Sequence, residues 1–139
     1  MSTIRPEKPA AVPLYHAARL GFRDLVEQLI AEHPEDLHAK GGYVGTPLHI
    51  SANGHIEVVS LLIEHLQNVD ILGNVGLSPL HNASERGRLE IGKLLLDHGA
   101  DVNFRDDHDW TPLFRAALHG KLEFARMLLE HGAEVGCPR

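Results

Sequence analysis

Cysteine is scarce in this chain, and long apolar runs are missing from it. Its single cysteine, Cys137, excludes an internal disulfide framework and is typical of a reducing compartment. We expect no membrane span, because no run reaches about 18 apolar residues, and the N-terminus lacks the apolar stretch of a secretory signal. With 13 basic and 19 acidic residues, the net charge of −6 argues against nucleic-acid binding. We therefore expect an intracellular protein, cytoplasmic or nuclear, without nucleic-acid or membrane partners.

Signatures of catalysis are missing too. The sequence contains neither a glycine-rich phosphate loop nor a Gly-x-Ser-x-Gly nucleophile motif, and Cys137 lies too near the chain end to be held by a packed shell. We expect no enzyme activity, no catalytic residues and no cofactor. Hydrophobic residues make up 43% of the chain but aromatic ones only 5%, which favours one domain whose core is built from Leu and Ala.

Repetition is what the chain has in abundance. A four-residue sequence motif recurs, and its prolines are 34, 32 and 33 residues apart. Such a period predicts stacked copies of one small unit, and such arrays usually work by presenting a long surface. The copies are Val12-Pro13-Leu14-Tyr15, Thr46-Pro47-Leu48-His49, Ser78-Pro79-Leu80-His81 and Thr111-Pro112-Leu113-Phe114.

The repeated motif predicts the start of a helix. Thr46 is a good N-cap, and Pro47 fits the first helical position, where no N–H is needed. His49 falls at the third helical position and can reach back to the capping end, as Glu does in a capping box. Each first helix is expected to be followed by a second, apolar helix and a polar turn. Glycines end the first helices, at Gly21, Gly54, Gly87 and Gly120.

These linked motifs closely resemble those of the ankyrin repeat family. The resemblance also rests on a Leu-Leu pair in the second helices, such as Leu94-Leu95, and on the Gly-Ala-Asp/Glu-Val ending of the later repeats. It implies an all-α solenoid of stacked helix-turn-helix units with projecting hairpin-like turns. We assign an ankyrin repeat domain to residues 12–139, with repeats at 12–45, 46–77, 78–110 and 111–136, after a flexible N-terminal tail at 1–11.

The resemblance implies a non-catalytic module that binds another protein through its turn tips and the concave face of its first helices. Trp110, the only tryptophan, stands out because tryptophan is enriched among binding hot spots; the competing interpretation is that it packs over its own hairpin. The alternative function is a structural spacer or self-association segment of a larger ankyrin-containing protein. Carried over position by position, the partner-binding residues are Tyr43, Asn74, Val75, Leu77, Asp107, His108 and Trp110 from the tips, and Arg19, Leu20, Asn53, Glu85, Arg86, Leu118 and His119 from the first helices.

Eleven histidines raise the question of a metal site, but the repeat accounts for most of them. The spacing places them in ladders along the stack, not in one cluster, so we expect no metal site. The acidic run Asp106-Asp107-His108-Asp109 is interpreted as a solvated turn tip, since the glycine and distal glutamate of an EF-hand do not follow it. Four histidines share the end of a second helix, where the helix dipole favours a cation: His33, His65, His98 and His131.

Repeat 2 departs most from the pattern. Its first helix is one residue short and must end early, with Asn53-Gly54 supplying a left-handed turn. Leu66 stands where later repeats have glycine, so the second helix is expected to end differently there. Gly41 and Gly73 occupy the position of Asp106, and we predict that their turns lose a stabilising side chain.

The two ends of the array differ in polarity. Repeat 1 carries His16, Arg23 and Gln28 where later repeats are mostly apolar, which suits an outward-facing N-terminal cap. Repeat 4 keeps the internal apolar pattern, so we expect its end face to be covered by further sequence or, as a homodimer, by a second copy. In the alternative interpretation, the charged Glu123, Arg126 and Glu130 point outward and suffice. The apolar residues are Leu122, Phe124, Met127, Leu128 and Leu129.

Overall fold

A computed structural model describes residues 12–41 and 45–136. The expected N-terminal tail, Tyr43 and Cys137 lie outside these residues. In the described ranges the regular structure is helical, apart from one backbone bridge between Gly41 and Gly45. Two of the helices are short 3₁₀ segments, Pro34–His38 and Asn74–Gly76. The α-helices are α1 (Pro13–Leu20), α2 (Arg23–Glu32), α3 (Pro47–Ser51), α4 (Ile56–Glu64), α5 (Pro79–Arg86), α6 (Leu89–Asp97), α7 (Pro112–Leu118) and α8 (Leu122–Glu130).

The first helix of every pair begins at its proline, as the repeated motif predicts. Capping side chains fix the starts of α5 and α7: the hydroxyl oxygen of Ser78 accepts from the N–H of His81 at 3.4 Å, and that of Thr111 accepts from the N–H of Phe114 at 3.2 Å. Gly21 and Gly87 end α1 and α5 with φ of 80° and 71°, the left-handed backbone that glycine adopts without strain.

The helix pairs stack side by side. Helix α1 packs on α3, α3 on α5 and α5 on α7, while the second helices α2, α4, α6 and α8 form a second layer. Leucines between the layers build the core: Leu48, Leu62, Leu80, Leu95 and Leu128 have no exposed surface. The predicted all-helical solenoid is therefore confirmed.

Hairpin-like turns project between the pairs and are closed by one backbone hydrogen bond each. We call the segments 41–45, of which the structure describes only Gly41 and Gly45, 73–77 and 106–110 tip 1, tip 2 and tip 3. Their closing bonds run from Gly41 N–H to Gly45 O and from Gly73 N–H to Leu77 O, both 2.8 Å, and from Asp106 N–H to Trp110 O, 3.0 Å. Neighbouring tips also touch, because Asp107 N–H donates to Val75 O at 3.0 Å.

Repeat 2 is irregular, but partly in a different way from the one expected. Helix α3 does end early, after five residues. The predicted left-handed turn at Asn53-Gly54 is wrong: Ala52 stays right-handed, with φ −65° and ψ −11°, and Gly54 N–H donates to Ser51 O as the helix tightens. Tightening the last turn satisfies the end carbonyls without any left-handed residue. Helix α4 ends at Glu64 with His65 as its right-handed cap, so Leu66 avoids the strained conformation, as expected.

Across residues 12–41 and 45–136, no helix is both long and apolar enough to cross a bilayer.

Candidate partner-binding surface

The predicted binding residues are distributed along the tips and the ends of the first helices. Tyr43 lies outside the described residues. The half-buried members are Asn53, Asn74, Leu77, Glu85 and Trp110. The exposed members are Arg19, Leu20, Val75, Arg86, Asp107, His108, Leu118 and His119.

Tip 3 is organised by a buried carboxylate. Asp106 Oδ1 accepts from the backbone N–H groups of His108 and Trp110 at 2.8 and 2.9 Å, and Oδ2 accepts from Arg115 Nη2 at 2.9 Å. Asp106 is only 6% exposed, so interpreting the whole acidic run as a solvated tip is wrong for this residue. The run continues outward with Asp107 and His108, which are exposed.

The pKa of Asp106 reflects this setting. Burial alone would raise it, but the hydrogen bonds from Trp110 N–H, the Arg115 guanidinium and His108 N–H outweigh burial, so the pKa lies below its usual value. Asp106 is therefore ionised near neutral pH and holds Arg115 in place. Tips 1 and 2 have Gly41 and Gly73 at this position, and glycine has no side chain to act as such an anchor, as the sequence predicts.

Trp110 packs on its own tip and helix. Its ring centroid lies 4.8 Å from that of Phe114 and 5.6 Å from that of His108. The Arg115 guanidinium carbon lies 5.0 Å from the indole centroid, a cation–π distance. This packing matches the interpretation that Trp110 packs over its own hairpin. The residue is nevertheless only half-buried, so part of its surface is accessible.

Arg115 also joins tip 3 to helix α5. Its Nη1 lies 3.6 Å from Glu85 Oε1, and the other oxygen of Glu85 lies 3.4 Å from His119 Nε2. The Arg115 side chain is only 12% exposed, because it bridges Glu85 and the buried Asp106. Arg115 was not among the predicted binding residues. The available signal was an arginine where repeat 2 has the buried Ile50, with an aspartate nine residues before it.

Tip 2 carries backbone strain. Val75 has φ 52° and ψ 32°, a left-handed conformation that a β-branched residue rarely adopts. Gly76 follows with φ 70°, and the adjacent Asp107 closes over it. Val75 is 49% exposed, so burial of its side chain does not explain the strain. Strained residues that persist tend to cluster at functional positions.

Two buried histidines join successive repeats. His49 Nδ1 accepts from Thr46 N–H at 3.2 Å and lies 2.8 Å from the Thr46 hydroxyl, while Nε2–H donates to Leu77 O at 2.8 Å. His81 repeats the arrangement with Ser78 and with Trp110 O. The capping half of this arrangement was predicted, whereas the bond to the next tip was not. Neutral imidazole fits both roles, since one nitrogen accepts and the other donates.

Burial dominates the acid–base behaviour of these rings. It lowers the pKa of His49 from 6.5 to about 4, although the bond to Leu77 opposes the shift. The pKa of His81 is lowered for the same reason. Both rings are neutral framework elements beneath the tips, positioned to hold them and not to contact a partner.

Within the residues that the structure describes, no group of three or more His, Cys, Asp or Glu side chains is arranged to hold a metal ion. The surface cavities found among these residues are open to solvent. The architecture thus offers an extended surface of tips and helix ends.

Comparison with known proteins agrees with this architecture. A family model described as ankyrin repeats (3 copies) matches residues 8–73 and 66–138. The chain belongs to the ankyrin repeat family. Over 75 residues this ankyrin chain is 37% identical to Alpha-latrocrustotoxin-Lt1a of Latrodectus tredecimguttatus, a match covering 53% of the chain and 5% of the toxin. Over 71 residues it is 35% identical to BCL-6 corepressor-like protein 1 of Homo sapiens, covering 50% of the chain and 4% of that protein.

The ankyrin chain therefore spans only a small fraction of either relative. The similarity concerns the repeats themselves, and ankyrin repeats generally mediate protein–protein interactions.

Proposed function

We propose that this chain is a non-catalytic module that binds a partner protein through tips 2 and 3 and the adjoining ends of α5 and α7. The observation that carries the proposal is the anchored platform at tip 3, where buried Asp106 fixes Arg115 beneath a half-buried Trp110. Exposed Asp107 and His108 flank the platform. Aromatic and arginine side chains are those most often found at binding hot spots.

Rigidity supports this assignment. Binding costs free energy when loops and side chains must be ordered, so a surface that is already ordered loses less on association. Tip 3 is held by the two backbone bonds to Asp106, by the Arg115 contacts and by the bond from Asp107 to tip 2. The tip can therefore meet a partner without first being ordered.

The strain at Val75 supports the same surface. An asparagine or glycine would adopt its left-handed backbone more readily, yet the position carries an exposed apolar side chain. A contact between Val75 and the partner would account for this choice. The remaining predicted residues, from Arg19 and Leu20 at α1 to Leu118 and His119 at α7, extend the surface along the stack.

The proposed module works inside the cell, in the cytoplasm or nucleus, without a cofactor or catalytic residues. The second candidate function is a spacer or self-association segment of a larger ankyrin-containing protein. It is favoured by one observation: apolar side chains of the last helix pair are exposed, among them Leu122 at 65% and Leu129 at 47%.

Paired alanine variants test the leading proposal. Trp110→Ala with Arg86→Ala is expected to abolish capture of the partner recovered by the intact chain, while circular dichroism remains that of a folded solenoid. Lys93→Ala with Arg126→Ala, exposed residues of the second helices, is the matched control and should capture normally. Unchanged capture by the Trp110 and Arg86 variant would show that the surface is wrongly assigned.

A further inference from the structure

One side-chain position connects each of the later repeats to the next. It is held by Asp70 in repeat 2 and by Asn103 in repeat 3, each three residues before the start of its tip. Asp70 Oδ2 accepts from the N–H of Asp101 at 2.9 Å, and Asn103 Oδ1 accepts from the N–H of Glu134 at 2.8 Å. We call the contacts between these repeats the 2–3 junction and the 3–4 junction.

The two junctions share the same local geometry. In each, the N–H of the connecting residue donates to the side-chain oxygen of the residue two positions earlier. The glycines that lie two residues before the accepted N–H groups, Gly99 and Gly132, have φ of 94° and 93°. By this equivalence the carbonyl of Gly99 lies beside Asp70, as that of Gly132 lies beside Asn103.

The junctions differ in the atom that faces this carbonyl. The amide nitrogen of Asn103 donates to Gly132 O at 3.4 Å. In its place Asp70 has a second carboxylate oxygen, which carries no hydrogen when ionised. This oxygen, Oδ1, is buried and has no hydrogen-bond partner among the described residues. Because a buried polar atom without a partner costs free energy, the 2–3 junction is weaker at this point than the 3–4 junction.

The acid–base behaviour of Asp70 agrees with this setting. Burial raises its pKa, the hydrogen bond from the Asp101 N–H opposes the shift, and the negative charge of the Asp101 carboxylate adds to it. The folded chain therefore pays a cost for the ionised carboxylate above that pKa, and the cost is removed as the pH falls through it. Once protonated, Asp70 gains an O–H that can donate as the Asn103 amide does.

Helix packing is also reduced at the 2–3 junction. Helix α5 packs less extensively on α3 than on α7. The five-residue length of α3 does not account for this, because α1 packs on the same short helix as extensively as α5 does on α7. Single hydrogen bonds complete the junction, from the His49 ring to Leu77 O and from Arg88 Nε to Asn53 O.

We propose that the array opens at the 2–3 junction, where repeats 1 and 2 separate from repeats 3 and 4, and that the unpaired oxygen of Asp70 sets how readily they do so. In a repeat array each unit contacts only its neighbours, so a weak junction lets one side open while the other stays folded. Opening separates tip 2 from tip 3, and a ligand that bridged both tips would hold the junction closed.

Hydrogen exchange of the intact chain under native conditions tests the proposal without any partner protein, so its outcome is independent of the proposed function. At pH 7.5 the amides of α3 and α4 are expected to exchange faster than those of α5 and α6. Asp70→Asn supplies an uncharged N–H donor at the junction. It should slow exchange in α3 and α4 by a factor of about 5–30 and leave α7 and α8 unchanged.

Asn103→Asp is the reciprocal variant, because it places the same carboxylate at the 3–4 junction. It should speed exchange in α7 and α8 and leave α3 and α4 unchanged. The protection that Asp70→Asn adds over the wild type should shrink as the pH falls from 7.5 toward 4.5, since protonation then gives Asp70 its own donor. A change in packing alone would not depend on pH in this way.

Three results would overturn the proposal. The first is wild-type exchange in α3 and α4 that is no faster than in α5 and α6. The second is an Asp70→Asn variant whose α3 and α4 exchange as fast as in the wild type or faster. The third is a gain from Asp70→Asn that is the same at both ends of the pH range, which would separate the effect from the charge of Asp70.

Discussion

Acidification should destabilise this protein through His49. The ring is buried and neutral, with Nδ1 accepting from Thr46 and Nε2–H donating to Leu77 of the next repeat. Protonation would place a second N–H at Nδ1, facing the Thr46 N–H that it now accepts. The charged ring would also lie in an apolar interior, which explains why burial lowers its pKa from 6.5 to about 4.

The size and sign of the effect follow from this difference. Between pH 6.5 and about 4 the unfolded chain takes up a proton at His49 while the folded chain does not. Stability is therefore fully present above pH 6.5 and falls as the pH drops toward 4. The lowered pKa corresponds to about 3 kcal/mol in total, of which most should be lost near pH 4.5. His81, whose pKa is also lowered by burial, adds to the loss.

Urea unfolding at pH 7.5 and near pH 4.5 measures this, with His49→Gln as the key variant. Glutamine keeps an N–H donor in reach of Leu77 but does not titrate, so its free energy of unfolding should fall by about 2–3 kcal/mol less than that of the wild type. His65→Gln, at an exposed helix end, should fall like the wild type. Parallel losses in the wild type and His49→Gln, or a His49 ring that titrates near 6.5 by NMR, would refute the reasoning.

Three further substitutions compare how much core packing, helix capping and backbone strain each contribute to the free energy of unfolding. Leu95→Ala should cost about 2–5 kcal/mol in a urea titration, because Leu95 is fully buried and leaves a cavity. Thr111→Ala should cost only about 1 kcal/mol, the loss of the cap to Phe114 N–H, and equal effects of the two would contradict the ranking. Val75→Asn should raise stability by about 1 kcal/mol by relieving left-handed strain, while weakening partner binding. A destabilised Val75→Asn variant would mean that the strain is compensated within the fold.

Most of the fold could be predicted from the sequence, because the local signals for helix starts agree with the period of about 33 residues. Proline at the first helical position and a capping Thr or Ser act within a few residues, and the structure begins each first helix where they predict. The prediction failed at the end of α3, where the chain could end the helix in more than one way. Gly54 suggested a left-handed turn, but a helix can also end by tightening, as Ala52 shows.

The candidate surface was less predictable, because its key contacts join distant residues. Asp106 looked like part of a solvated acidic run, since its bond to Arg115 nine residues away leaves no periodic signal. The strain at Val75 is a backbone property that the residue type argues against.

Site-specific photo-crosslinking tests the central claim, that a partner binds the tips and first-helix ends, most directly. A photoreactive amino acid at His108 of tip 3, and another at Lys93 of α6, would be activated in extracts of cells that express the chain. Both positions are exposed, so neither should disturb folding. The proposal predicts one defined crosslinked partner at position 108 and none at 93. The same partner at 93 but not at 108 would contradict it.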